Sequence, residues 1–493
     1  MLTARPEPNA APSIADPASF TVATASDAID QGTLSPVDLL EAVFARIDAL
    51  DATIHSYLRM DRKVARAESA AAAERAAKGM RLGPLDGIPY AVKDNIYTAG
   101  LETTGGSRVP QSHDPDTTAT LVKRLQAAGA VLVGKLNTWE YGTGTGAVHF
   151  DLEAPPARNP WNPAYFTGGS SSGSAAAVAA GTALFTIGTD TGGSVRLPAA
   201  ACGIVGLKPT FGRISRHGII PNCWSFDTPG PMTLTVRDAA LVYGAIAGYD
   251  PDDPVSLESS PEPVLPSLEA GVAGMTVGYV RNLDPGGKAP EAAILAALDA
   301  AAEAFRTAGA RVREIELPIA PSEYRAVSMP INRSESFSIH ERDYLEHRHL
   351  MGRSLREKLE IGMYMRAADY IAALRQRRDL VERTDAAFTR IDVMLLPMTY
   401  RTAPPITEEA AVKEFTTGSA GSPFSLTGHP ALSLPAGFTD EGLPIAVQLA
   451  AGFRKEAVML AAATALEAYF TPRPVRASPA TILANRIEEG HLS

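Results

Sequence analysis

The sequence predicts an α/β protein, and three observations carry that prediction. Residues 88–92 and 130–135 read as strands, and residues 117–128 between them as a helix closed by Gly129. A second strand–helix–strand series follows at residues 276–280, 290–307 and 312–317, its helix closed by Gly309. Between the two series, residues 174–185 are Ala-rich and uncharged, which marks a short helix buried on all sides rather than an amphipathic surface helix.

Taken in order, the first 20 residues are rich in Ala and Pro and carry Arg5, Glu7 and Asp16. They lack the continuous apolar run of a secretory signal and are expected to form a flexible tail. Ser35 then caps a helix with Pro36 at its first position and Asp38 near its start, and Leu40, Val43, Phe44, Ile47 and Leu50 recur at helical spacing. Residues 64–78 give a second helix. The strand at 88–92 runs into Lys93. Lysine is usually exposed, so Lys93 taken alone would be a surface side chain. Gly142-Thr143-Gly144-Thr145-Gly146 lacks the spacing of a dinucleotide loop and reads as a substrate-side loop beside Trp139 and Tyr141. Beyond an apolar run at 203–207 and a helix at 236–246, residues 249–268 hold Pro251, Pro254, Pro261, Pro263 and Pro266, the only linker-like passage. Residues 322–385 are helical and charged, with Tyr364, Met365 and Tyr370 available to a pocket wall.

Composition excludes several function classes. A formal charge of −10 and a pI near 5.5 argue against nucleic acid or an anionic membrane as partner. No run of eighteen apolar residues occurs, so no membrane span is expected. The two cysteines, Cys202 and Cys223, suit neither a zinc site nor a disulfide framework, and the simplest location is the cytoplasm.

The chemistry concentrates in residues 166–196. Two glycine-flanked serine clusters, Gly168-Gly169-Ser170-Ser171-Ser172-Gly173 and Thr191-Gly192-Gly193-Ser194, bracket the buried helix. Glycines ahead of a serine let the backbone turn sharply, and in the second cluster consecutive N–H groups can point at one anionic oxygen, as in an oxyanion hole. One such loop is more often a plain turn after the strand at 183–187; two around a single buried helix weigh against that. A serine hydroxyl needs a base. None of His55, His113, His149, His217, His340, His347, His349, His429 and His491 stands in a recognisable triad setting, and the G-x-S-x-G match at 169–173 is not preceded by a strand. A buried lysine is the better candidate, because burial favours its neutral, proton-accepting form.

The chain resembles the amidase signature family of serine hydrolases. The resemblance rests on GPLDGIPYAVKDNI at 83–96, GGSSSGSAAAVAAG at 168–181 and GTDTGGSVRLPAAACGIVGLKPTFGRIS at 188–215. RNPWNP, IDVMLLP, TGHPALSLPAGF and GLPIAVQLAA add weaker matches in the same order. It implies one domain over 21–493, with 249–268 as a long connection inside it, built on a large, mostly parallel or mixed twisted sheet covered by helices on both faces. It also implies Lys93 as base, Ser170 as bridging serine in a cis peptide and Ser194 as nucleophile, with the N–H groups of Thr191, Gly192, Gly193 and Ser194 as oxyanion hole. Asp190 and Arg196 flank Ser194 and are expected to brace that loop as an ion pair, the alternative being that Arg196 binds a substrate carboxylate.

The implied activity is hydrolysis of a small aryl or aliphatic amide through an acyl-enzyme, without metal or cofactor. Alternatives are a carbamate or ester hydrolase, or the amide-cleaving A component of a glutamyl-tRNA amidotransferase. Tyr141, Gly142, Thr143, Gly144, Trp224, Tyr364 and Met398 are the expected substrate-binding residues, in a mainly apolar acyl pocket without an anion site. The expected partners are a small amide or carbamate only, with no nucleic acid, no membrane and at most a homodimer.

Overall fold

The computed structural model describes residue 16 and residues 19–111, 113–143, 148–283, 289–471 and 476–484. Eleven strands, β1 (Tyr57–Met60), β2 (Pro89–Lys93), β3 (Val131–Leu136), β4 (Phe185–Asp190), β5 (Val205–Lys208), β6 (Thr228–Thr233), β7 (Thr276–Tyr279), β8 (Arg311–Glu314), β9 (Val393–Pro397), β10 (Ala431–Phe438) and β11 (Pro444–Ala451), form one sheet. Their order is β1-β3-β2-β4-β6-β5-β10-β11-β9-β7-β8. Pairing is parallel within β3-β2-β4 and β9-β7-β8 and antiparallel elsewhere, so the sheet is mixed. Every residue of β2, β3, β4, β5, β6, β9 and β11 is buried. Side chains alternate between the faces of a strand, so both faces of the sheet are covered.

The expected strands are present, with ends shifted by up to three residues. The strand at 88–92 takes in Lys93, which the sheet therefore buries at its end. Strand β6 was not visible in the sequence because Pro229 and Pro231 argue against a central strand. The two prolines stand two apart, so both missing donors face the same side of the strand, and β6 still pairs with β4 along its whole length.

The helix Pro36–Ile54 starts as its sequence dictates: Ser35 Oγ accepts from the Val37 N–H at 3.2 Å and Pro36 opens the first turn. The buried helix is Ser172–Ala180, all of whose residues are enclosed, and it ends at Gly181 in the left-handed conformation, φ 72°. It starts two residues before and stops five residues before the expected bounds, because Gly181 caps it there, and Phe185 already belongs to β4. The passage 249–268 is packed against the body: Ser215 and Arg216 bind Asp250 and Asp253, the Leu257 N–H donates to Gly212 O, and Val264 and Leu268 enter the main core. Most of the expected tail lies outside the described residues. Of what is described, Phe20 is buried and Asp16 pairs with Arg46 at 2.8 Å. Among the described residues no helix is long and apolar enough to cross a membrane.

Candidate active site

The sheet brings the three candidate catalytic residues together from separate elements. Lys93 ends β2, Ser194 follows the β4 end, and Ser170 precedes the buried helix. Lys93 Nζ lies 2.8 Å from Ser170 Oγ and 2.8 Å from Thr189 Oγ1, and the Asn95 amide donates to the same Thr189 oxygen at 3.2 Å. Burial drives the Lys93 pKa down to about 7, offset in part by the charges of Asp227 and Asp190. A neutral amine at physiological pH is what a general base needs.

The Gly169–Ser170 peptide is cis, and close packing holds its surroundings. The Ser170 carbonyl accepts from the Trp139 N–H and the Thr138 hydroxyl, both at 3.1 Å. A Cβ on Gly169 would fall 2.2 Å from the Trp139 ring, so only glycine fits there. Ser171, the neighbouring hydroxyl, is occupied with the backbone of Thr189 as donor and acceptor, both at 3.2 Å.

Ser194 is half-buried, and its hydroxyl makes no hydrogen bond among the described residues. The expected Ser170–Ser194 hydroxyl link is therefore not a hydrogen bond in this structure; the two segments meet through the Ser171 N–H and the Ser194 carbonyl at 3.3 Å. The nucleophile loop differs from expectation in one donor. The Gly193 N–H is spent on Asp190 Oδ1 at 2.8 Å, which leaves Thr191, Gly192 and Ser194 as the N–H groups without an acceptor among the described residues.

Two carboxylates fix this loop. Asp190 takes the N–H groups of Gly193 and Val195 and is clamped by Arg196 at 3.0 Å through both Nε and Nη2. Arg196 is fully buried and also donates to Gln448 Oε1, Gly421 O and Ser425 Oγ, so it faces the protein and not a substrate. On the other side, Asp227 accepts from the Thr191 hydroxyl at 2.6 Å and from the N–H groups of Asn222 and Cys223.

A cleft of about 300 Å³ opens beside Lys93, lined by Asn95, Thr189, Asn222, Trp224 and Asp227, with Arg216 and Asp253 among its other wall residues. Of the expected substrate-binding residues, Trp224 lines it. Gly142 packs its backbone against Lys93, where an added Cβ would lie 3.2 Å from Nζ, and its carbonyl accepts from Asn222 at 3.1 Å. Thr143 accepts from Lys358. Tyr141 is buried, stacked on His340 with ring centres 4.3 Å apart. Met398 is buried in a cluster with Phe166, Leu197 and Phe415, and Tyr364 is 73% exposed at the end of the helix Arg353–Met363. Neither lines the cleft. Gly144 lies outside the described residues.

Thr189 and Asn95 lie inside the matched segments 188–215 and 83–96 without having been singled out there, and Asn222, Asp227 and Lys358 lie outside every matched segment. Among the described residues, no histidine hydrogen-bonds to Ser170, Ser171 or Ser194; His217 meets Thr120, and His429 meets Thr427.

Comparison with known proteins follows the same lines. The amidase family model matches residues 38–460. The A subunit of the glutamyl-tRNA(Gln) amidotransferase of Chloroflexus aurantiacus is 38% identical over 487 residues, covering 92% of this chain and 98% of the relative. Among solved structures, one described as an unexpected vestigial protein complex revealing the evolutionary origins of an s-triazine catabolic enzyme superposes with a TM-score of 0.84 at 33% identity, covering 91% and 98% of the two chains. The peptide amidase of Stenotrophomonas maltophilia gives 0.81 at 31%, covering 92% and 98%. These findings correct the expectation that a small molecule is the only partner beside self-association: the relative is one component of an amidotransferase, and the first structure is described as a protein complex.

Proposed function

The chain belongs to the amidase signature family, and on that premise we propose that it hydrolyses the C–N bond of a carboxamide as the amide-cleaving component of a larger protein assembly. The observation that carries the chemistry is the buried Lys93–Ser170 hydrogen bond beside the Ser194 loop. Neutral Lys93 takes a proton from Ser170 as Ser170 takes one from Ser194. The Ser194 oxygen attacks the amide carbon, and the N–H groups of Thr191, Gly192 and Ser194 receive the negative oxygen. Ser170 then protonates the leaving nitrogen and is reprotonated by Lys93 as the C–N bond breaks and the acyl group stays on Ser194; water, deprotonated through the restored Ser170–Lys93 route, attacks the ester, and the proton returns to the Ser194 oxygen as the acid leaves.

The role within an assembly rests on the naming of relatives that match this chain almost end to end. It favours a part in a glutamyl-tRNA(Gln) amidotransferase type of assembly over a free-standing amidase. The likeness to a peptide amidase supports the second reading, a hydrolase acting alone on small amides. Purification of the tagged chain from its own host separates the two. Recovery of a stoichiometric partner, with glutamine-dependent and tRNA-dependent transfer of ammonia, supports the first. Full turnover of small amides by the isolated chain, with no partner recovered, overturns it in favour of the second.

The base also predicts the pH profile. With Lys93 titrating near 7 and active when neutral, kcat/KM rises about tenfold per pH unit below 7 and levels off above it. A profile flat from pH 5 to 9, or one lost in a single His→Ala variant that keeps its fold, would remove Lys93 from this role.

A further inference from the structure

The mechanism leaves the cleft beside Lys93 unused. No residue of the nucleophile loop 191–194 lines it, and neither does Ser170. Its buried end is formed by the pair that holds the base: Thr189 accepts from Lys93 Nζ at 2.8 Å, and the Asn95 amide donates to Thr189 at 3.2 Å. The substrate group that receives the proton carried by Lys93 and Ser170 is the departing nitrogen. A cleft on the base's side of the site is therefore placed for the amine part of the substrate rather than for the acyl part.

Its walls ask for a positive ligand that donates hydrogen bonds. Asn95 is 2% exposed, and its Oδ1 has no hydrogen-bond partner among the described residues. A buried acceptor without a donor is unfavourable, and a ligand N–H removes that cost. Towards the surface the ionisable wall residues are Asp227, Asp252, Asp253, Arg216 and His217. Asp227 is taken by the Thr191 hydroxyl and by the N–H groups of Asn222 and Cys223. Asp253 pairs with Arg216 at 3.2 Å. Arg216 is spent on that pair and on the Trp224 carbonyl, and its guanidinium lies over the Phe211 ring at 5.0 Å. His217 Nδ1 meets Thr120 Oγ1 at 3.3 Å. What remains is the exposed Asp252 carboxylate, which makes no hydrogen bond or ion pair among the described residues, and the Trp224 ring, 48% exposed and stacked on no other ring or cation there. Arg216 keeps the two close together, because it bonds both the Trp224 backbone and the residue next to Asp252. An aromatic face beside a free carboxylate holds an organic cation, and a cleft in which acids predominate concentrates positive ligands.

We propose that this cleft is a subsite for the amine part of the substrate and that it supports a further activity, hydrolysis of N-substituted amides whose amine part carries a positive charge. Asn95 Oδ1 accepts an N–H of that part, and Trp224 and Asp252 receive its cation. The inference rests on the reading of the site as an amide hydrolase. Attack by Ser194 forms the acyl C–O bond. The C–N bond then breaks with its electron pair on nitrogen, which takes the Ser170 proton, and the free amine departs by the cleft while the acyl group stays on Ser194 for water. At about 300 Å³ the cleft has room for a short-chain amine.

The test reads a ratio within each protein and needs no knowledge of the acyl group. Labelling of Ser194 in the full chain by a fluorophosphonate is timed with 1,3-diaminopropane, butylamine or β-alanine present, for the wild type, Asp252→Asn and Trp224→Leu. The first two amines are alike in length and differ in the second cation; β-alanine carries a carboxylate in its place. The diamine is expected to slow wild-type labelling at about a tenfold lower concentration than butylamine, with β-alanine weaker than either. That advantage should fall to about threefold or less in each variant. Hydrolysis supplies the kinetic counterpart: kcat/KM for an N-(3-aminopropyl) amide should exceed that for the N-butyl amide of the same acid in the wild type, and the ratio should shrink in both variants.

Equal protection by the diamine and butylamine in the wild type, or none by either, would overturn the proposal. So would an advantage that persists unchanged in either variant, which would trace it to the overall charge of −10 rather than to this cleft. If the fluorophosphonate fails to label Ser194 at all, the amide-hydrolase reading fails first. Calorimetric titration of the two amines into wild type and Asp252→Asn then decides the cleft site independently.

Discussion

Ser194→Ala is expected to abolish amide turnover while leaving the fold intact. The two halves of that result have separate physical origins. Ser194 Oγ makes no hydrogen bond among the described residues, so removing it orphans no buried group, and the urea midpoint should stay within experimental error of wild type. The loss of kcat should be about 10⁴-fold or more, since attack by the nucleophile is the step on which every other group in the site acts. Ser170→Ala should behave differently. It removes the hydroxyl 2.8 Å from Lys93 Nζ, so the base loses a buried partner as well as its route to Ser194, and both stability and kcat should fall. Steady-state hydrolysis, paired with urea unfolding of the same preparations, checks both variants. Retention of more than about a hundredth of wild-type kcat in Ser194→Ala would move the nucleophile elsewhere.

The contrast between these serines shows what was legible in the sequence. The glycine-flanked serine clusters drew attention to residues 166–196, and the roles of Lys93, Ser170 and Ser194 came from the match of the motif set to the family; the structure gives one physical reason for that glycine setting, since a Cβ added at Gly169 would fall 2.2 Å from the Trp139 ring. The groups that complete the site were hidden because the sheet assembles them from far apart. Asp227 reaches Thr191 across 36 residues, and Lys358 reaches Thr143 across 215. Lys358 did leave a trace: it lies on the buried stripe formed by Leu355, Leu359 and Gly362, where a lysine breaks the pattern. The count of oxyanion donors erred for a related reason. Four N–H groups can be read from Thr191-Gly192-Gly193-Ser194, but competition from the Asp190 carboxylate for one of them depends on how the loop folds back. In the fold, β6 was masked by its two prolines, while the helix Pro36–Ile54 was plain because its cap, its first-turn proline and its apolar spacing all agree.

The largest expected effect on stability belongs to Arg196→Met. Arg196 is fully enclosed and joins Asp190 to Gln448, Gly421 and Ser425, so it pins the nucleophile loop to β11 and to the helix Gly421–Thr427. Methionine occupies much of the same space, so the cost comes from the charge left behind. Asp190 would retain only the loop N–H groups, Ser425 and the more distant Lys208, and breaking a buried pair in this way destabilises by about 3–5 kcal/mol. The pH dependence distinguishes this cause from simple loss of packing. In the wild type, burial pushes the Asp190 pKa up but Arg196 more than offsets it, holding it at about 2. Its contribution is therefore complete above the ordinary carboxylate range and is lost only as pH falls towards 2. In Arg196→Met, the buried carboxyl lacks that counterion and takes up a proton at a higher pH than in the unfolded chain, which relieves the penalty. The stability gap between variant and wild type should therefore narrow as pH is lowered from about 7 to about 5. Urea unfolding at both pH values measures it, and a gap below about 1 kcal/mol at neutral pH, or one that widens in acid, would show that Arg196 does not hold the loop through Asp190.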